Sequence, residues 1–102
     1  MSTWHKVGNI QDIPLRASRL IQTEEGDVAI FRTSNDDVFA LVDRCPHLGG
    51  PLSQGIVHGT TVTCPLHQWN IDLKTGEVIA PDEGCAGHIP VKVESNIVYI
   101  EL

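Results

Sequence analysis

Two short segments constrain this chain more than any others: Cys45-Pro46-His47 and Cys64-Pro65-Leu66-His67. Each sets a thiolate donor beside an imidazole donor, and each opens among small or turn-forming residues. With positions 48 to 63 between them, two Cys and two His are divided evenly over two loops. A fold that uses them as one ligand set must bring both loops to a common point. The chain has 102 residues, which reads as a single domain (1–102) at the small end of the usual range. A chain this short buries a limited core, so a metal staple would help it considerably.

Composition narrows the classes. There are three cysteines, and an odd count without a secretory signal argues for metal or catalytic roles and against a disulfide scaffold. No run approaches the roughly 18 apolar residues of a spanning helix, and Met1 to Lys6 has no apolar core of the signal-peptide kind. A cytoplasmic protein with no membrane association is expected. The formal charge is −6, and adding two thiolates to a diferric, two-sulfide core would leave it nearly unchanged. That balance disfavours nucleic acid as a partner and suits docking on a basic patch of another protein; it also fits simple solubility.

The rest reads as short strands between turn signals, an all-β sandwich or barrel. Ile89 to Glu94 and Ile97 to Leu102 alternate apolar and polar residues around Ser95-Asn96, a C-terminal hairpin. Val28 to Thr33 and Val38 to Asp43 are apolar runs joined by a polar loop, with Leu20 to Thr23 pairing ahead of them. Between Asp43 and Ala80 the strands are very short. Ile56-Val57 and Thr61 to Thr63 suggest one small hairpin; Trp69 to Asp72 and Glu77 to Ile79 suggest another. Residues about 44–80 are therefore read as a small cluster-binding lobe inserted into an antiparallel β framework, each ligand pair following a strand. Helix is minor: Asn9 with Asp12 can cap a single turn that Pro14 ends.

On this reading Cys45 and Cys64 bind one iron of a [2Fe–2S] cluster and His47 and His67 bind the other, the ligation of a Rieske centre. Neutral imidazoles in place of two anionic thiolates favour reduction, which is why such centres lie at about −150 to +300 mV against about −400 mV for plant-type ferredoxins. Gly49 and Gly50 lack Cβ atoms and permit close approach to cluster sulfides, or are plain turn residues. Leu48, Pro51 and Leu66 are apolar and can shield the cluster. Three alternatives stay open: a structural zinc site, although Cys-x-His is tighter than zinc-knuckle spacing; a nucleophilic Cys–His pair, which leaves the duplication unexplained; and coincidence.

The stretch Cys45-Pro-His47-Leu-Gly-Gly-Pro, followed by Cys64-Pro-Leu-His67-Gln-Trp and Thr75-Gly76-Glu77, resembles the soluble Rieske-type [2Fe-2S] ferredoxins over nearly the whole chain. That resemblance implies the Rieske-type fold, one cluster per chain and one-electron transfer. Pro51-Leu52-Ser53-Gln54-Gly55, Ile71 to Gly76 and Pro81-Asp82-Glu83-Gly84-Cys85 look most like small subunits of assimilatory NAD(P)H nitrite reductase. This implies a large catalytic subunit carrying flavin, an iron–sulfur cluster and sirohaem, which reduces nitrite to ammonium in nitrate assimilation. The small subunit is then an electron-transfer component and not a catalyst alone. A free ferredoxin serving a reductase and an aromatic-ring-hydroxylating oxygenase is the alternative, and a zinc-stabilised interaction module a further one. Respiratory Rieske proteins carry a disulfide and two hydroxyl donors where this chain has Gly50, Leu66, Trp69 and Ile71. Fewer donors to the reduced cluster imply a potential near the low end of the range, about −150 mV.

Other residues are less defined. Cys85 is expected as a small buried hydrophobe, with redox sensitivity or packing near the cluster as its alternative. Pro81 resembles the proline that covers the cluster in Rieske domains, or is an ordinary turn residue. Trp69 flanks the second loop or joins the core. His5, His58 and His88 are expected at the surface or in satisfied packing.

Overall fold

The computed structural model describes residues 3–23, 26–43, 51–65, 68–79 and 84–102. Over these residues lie the strands β1 (Trp4–Asn9), β2 (Ala17–Thr23), β3 (Gly26–Arg32), β4 (Val38–Val42), β5 (Ile56–His58), β6 (Thr61–Thr63), β7 (Asn70–Asp72), β8 (His88–Ile89), β9 (Val91–Glu94) and β10 (Ile97–Glu101). They form three antiparallel sheets, ordered β1-β10-β9, β2-β3-β4-β8 and β5-β6-β7.

The β2-β3-β4-β8 sheet is the middle layer, and side-chain alternation explains why. Val28, Ile30 and Ala40 point to one face, where they meet Ile10, Ile13, Val98 and Ile100 in a first core. Ala29, Phe31 and Leu41 point to the other, where they meet Leu52, Val57, Val62, Cys64, Ile71, Leu73 and Ala86 in a second. A strand covered on both faces needs apolar residues at every position, so β3 reads as the continuous run Val28–Phe31. The second core is the one that carries a ligand candidate.

The expected hairpins form, with local differences. Ser95 and Asn96 both adopt the left-handed region (φ 51° and 67°), which two-residue turns of the primed type require. Pro90 divides the expected strand Ile89 to Glu94. It has no N–H for a ladder, and His88–Ile89 pairs with β4 while Val91–Glu94 pairs with β10. Opposite β7, Glu77 and Val78 make only isolated bridges, to Cys85 and Ile71. Strand β1 lacks a hydrophobic pattern and is held by its ladder to β10. The 3-10 turn Ile10–Asp12 starts where Asn9 accepts the Gln11 N–H at 2.8 Å.

Arg32 closes the end of the middle sheet far from Asp43. Its guanidinium donates to the carbonyls of Ile13 (2.8 Å) and Ile10 (3.3 Å) and to Asp36 Oδ1. Bonds from a charged donor to part-buried carbonyls are the costly ones to lose. Arg32→Ala is therefore expected to lower unfolding free energy by about 2 kcal/mol in a urea titration. Asp36 is mostly exposed, so Asp36→Ala should cost under about 1 kcal/mol; the reverse order would reject this assignment.

Candidate metal centre

Of the four expected ligands, Cys64 lies among the described residues; Cys45, His47 and His67 lie outside them, as do Leu48, Gly49, Gly50, Leu66 and Pro81. Among the described residues no three His, Cys, Asp or Glu side chains gather in a metal-binding group.

Cys64 follows β6 directly, as expected for a ligand pair opening a loop after a strand. It is fully buried and packs in the second core. Thr63 pairs with Asn70 across β6 and β7, and the Cys64 N–H donates to the Trp69 carbonyl at 2.7 Å. The β6–β7 ladder is thus extended by one main-chain bond, from Cys64 to Trp69. Gln68 takes a left-handed conformation (φ 56°) as the chain turns back. Trp69 is half-buried against the second core, so it flanks the loop and also joins the packing.

The donor set suits an iron–sulfur group. Alkyl surroundings disfavour a free thiolate, so the buried Cys64 sulfur suits a donor whose proton is displaced, and whose charge is neutralised, by a bound metal. Cys and His together are the soft and borderline donors that clusters and zinc take. Pro51 is half-buried at the return of the first ligand segment. Next to it, Leu52 is wholly buried and begins a 3-10 turn to Gln54.

The outer face of the β5-β6-β7 sheet carries a polar chain beside this loop. Thr63 Oγ1 donates to Asn70 Oδ1 at 2.7 Å, so its oxygen accepts from His58 Nε2, also at 2.7 Å. His5, His58 and His88 are all exposed, in line with the surface reading.

Cys85 differs from expectation. It is exposed, not buried, because Ala86 takes the inward position. Gly76 forces that choice: a Cβ there would lie 2.4 Å from the Ala86 carbonyl, and the Ala86 N–H donates to Gly76 O at 2.7 Å. With Ala86 facing in, its neighbour Cys85 faces out.

A family model described as Rieske [2Fe-2S] domain matches residues 3–92. The chain belongs to the Rieske [2Fe-2S] family. Its all-β, antiparallel architecture agrees, and as a Rieske domain it binds a [2Fe-2S] cluster and acts in electron transfer. It is 36% identical over 76 residues to the anthranilate 1,2-dioxygenase ferredoxin subunit of Burkholderia cepacia, covering 74% of this chain and 69% of that one. Over 100 residues it is 31% identical to the ferredoxin component of the naphthalene 1,2-dioxygenase system of Pseudomonas putida, covering 97% and 95%. Among solved structures, a protein assigned as the small subunit of an NADPH nitrite reductase superposes with a TM-score of 0.85 at 25% identity, covering 96% and 97%. Among the described residues no helix of this Rieske domain is long and apolar enough to cross a membrane.

Asp43, whose carboxylate accepts the Ser53 N–H and O–H, is marked in the sequence by no donor spacing or periodicity, and Ser53 and Gly55 stand out there only within the segment Pro51 to Gly55.

Proposed function

We propose that the cluster is held by Cys45 and Cys64 on one iron and by His47 and His67 on the other, and that the chain is the cytoplasmic small subunit of an NAD(P)H nitrite reductase. The cluster supplies a one-electron redox couple. The protein supplies the thiolates, the imidazoles and a dry setting that holds them. Leu48, Gly49, Gly50, Pro51, Leu66, Trp69 and Pro81 are assigned to that setting.

The observation that carries the nitrite-reductase reading is the segment Pro81-Asp82-Glu83-Gly84-Cys85, similar to that family's small subunits. Its last residues pair with the segment opposite β7: Val78 N–H donates to Gly84 O at 3.0 Å, and Cys85 bridges Glu77. The full-length superposition on a nitrite reductase small subunit supports it. The partner is then a large subunit with flavin and sirohaem, and the chain moves electrons without catalysing alone.

A second reading has its own support. The 36% and 31% identities to dioxygenase ferredoxins favour a free ferredoxin that a reductase loads and an oxygenase empties. Reconstitution separates the two. Added to a sirohaem large subunit, the protein is expected to restore nitrite-dependent NAD(P)H oxidation, and Cys64→Ala is not. Failure there, together with electron delivery to an oxygenase, would overturn the first reading in favour of the second.

A further inference from the structure

We propose that Asp43, Ser53 and Gly55 form a positioning base that fixes the roots of both ligand loops before any metal arrives. This rests on the ligand assignment proposed above.

Asp43 stands just past β4. Its N–H donates to Asp27 O at 2.9 Å, so its main chain is an extension of the β3–β4 ladder. Both oxygens of its carboxylate go to one residue: Oδ1 accepts the Ser53 N–H at 2.7 Å and Oδ2 accepts the Ser53 O–H at 3.0 Å. The Ser53 carbonyl in turn accepts the Ser18 hydroxyl from β2. The chain therefore departs from the middle sheet and returns to the same carboxylate ten residues later. Leu52, the neighbour of Ser53, is wholly buried in the core that also holds Cys64.

Gly55 joins this root to the other loop. A Cβ on Gly55 would lie 2.4 Å from the Thr63 carbonyl and 2.9 Å from Val62 Cγ2. Thr63 is the residue before Cys64, so only glycine lets the return of the first segment seat this closely on the root of the second. The base spans β2, β3, β4 and β6 and includes no proposed ligand except through the Cys64 main chain.

Fixed roots have a chemical consequence. Closing a loop costs entropy; here the carboxylate clamp closes it during folding, so metal binding need not. A ligand that lets go stays near its iron and rebinds. Residues bonded directly to metal ligands change metal affinity by about 10- to 100-fold; the clamp holds a loop root and no ligand side chain, so its effect is placed at the low end.

The test is iron release from the reduced holoprotein to a ferrous chelator, followed by visible absorbance at a temperature where far-UV circular dichroism shows every variant folded. Asp43→Ala removes the clamp and should release iron about tenfold faster than the parent. Asp43→Asn keeps one carbonyl for the Ser53 N–H and an amide for the hydroxyl, which can turn to accept; it should restore release to within about twofold. Ser53→Ala, which loses only the hydroxyl arm, should fall between and serves if Asp43→Ala does not accumulate folded. Arg32→Ala destabilises the opposite end of the middle sheet and should release iron at the parental rate. Parental release from Asp43→Ala, or from Ser53→Ala where that variant stands in, would overturn the proposal. So would acceleration by Arg32→Ala equal to that of Asp43→Ala, or no rescue by Asp43→Asn. A parent with no iron–sulfur absorption at all would overturn the ligand assignment itself, and the clamp's role with it.

Discussion

Cys64→Ala should accumulate as a colourless protein without iron, while Cys85→Ala keeps full visible absorbance. The two residues share a chemistry and differ in place. Cys64 is wholly buried just past β6, whereas Cys85 is exposed. On the proposed ligand assignment, removing the Cys64 sulfur leaves one iron with a single thiolate. As packing alone, the loss is small, since a sulfur atom is the only volume removed, and the unfolding cost of the metal-free protein should be about 1 kcal/mol. Holoprotein stability should fall by more, because metal binding adds to folding free energy. The check is iron content and absorbance of both variants, with chemical unfolding of the metal-free forms. Full cluster content in Cys64→Ala would remove this residue from the ligand set.

Phe31→Ala should produce the largest loss of stability, about 3–5 kcal/mol. Phe31 is the largest fully buried side chain among the described residues and belongs to the core that also holds Leu41, Leu52, Ile71 and Cys64. The middle sheet is covered on both faces, so no surface is free to collapse into the void, and the loss includes a cavity as well as transfer of the ring. Against a total of about 5–15 kcal/mol for a domain, that is a large share. Phe39 is only half-buried at the edge of the same core, so Phe39→Ala should cost roughly half as much or less. Urea unfolding of the two variants decides the order. A loss under about 1 kcal/mol for Phe31→Ala would mean that this core is not what supports the site.

Much of this fold is legible in the sequence where a residue's local chemistry agrees with its surroundings. Ser95-Asn96 is such a case, because both residues tolerate the left-handed conformations the turn needs. The 3-10 turn capped by Asn9 is another. The run Val28–Phe31 announces a buried strand, but not that its two faces serve two different cores. Strand β1 is invisible because its stability comes from pairing with β10 and not from an apolar face of its own. The break at Pro90 is legible in principle, since proline cannot join a central ladder; alternation on either side conceals it. For the centre, Cys64 stands out through its spacing to His67 and its place after a strand. Cys85 goes the other way: its exposure follows from the contact between Gly76 and Ala86, which no local pattern encodes. Asp43 and Ser53 are equally silent, because hydrogen bonds across ten residues leave no periodic trace.

With a cluster on the proposed Cys/His set, positions 69 and 71 present Trp69 and Ile71 in place of hydroxyl donors, which should leave its potential low. Ile71 is buried in the second core, and Trp69 packs against the same core. A redox titration of the purified protein followed by electron paramagnetic resonance tests this most directly. A rhombic signal should appear on one-electron reduction at a midpoint of about −150 mV. A colourless protein with stoichiometric zinc would contradict the cluster, and a clearly positive midpoint would contradict the low-potential setting.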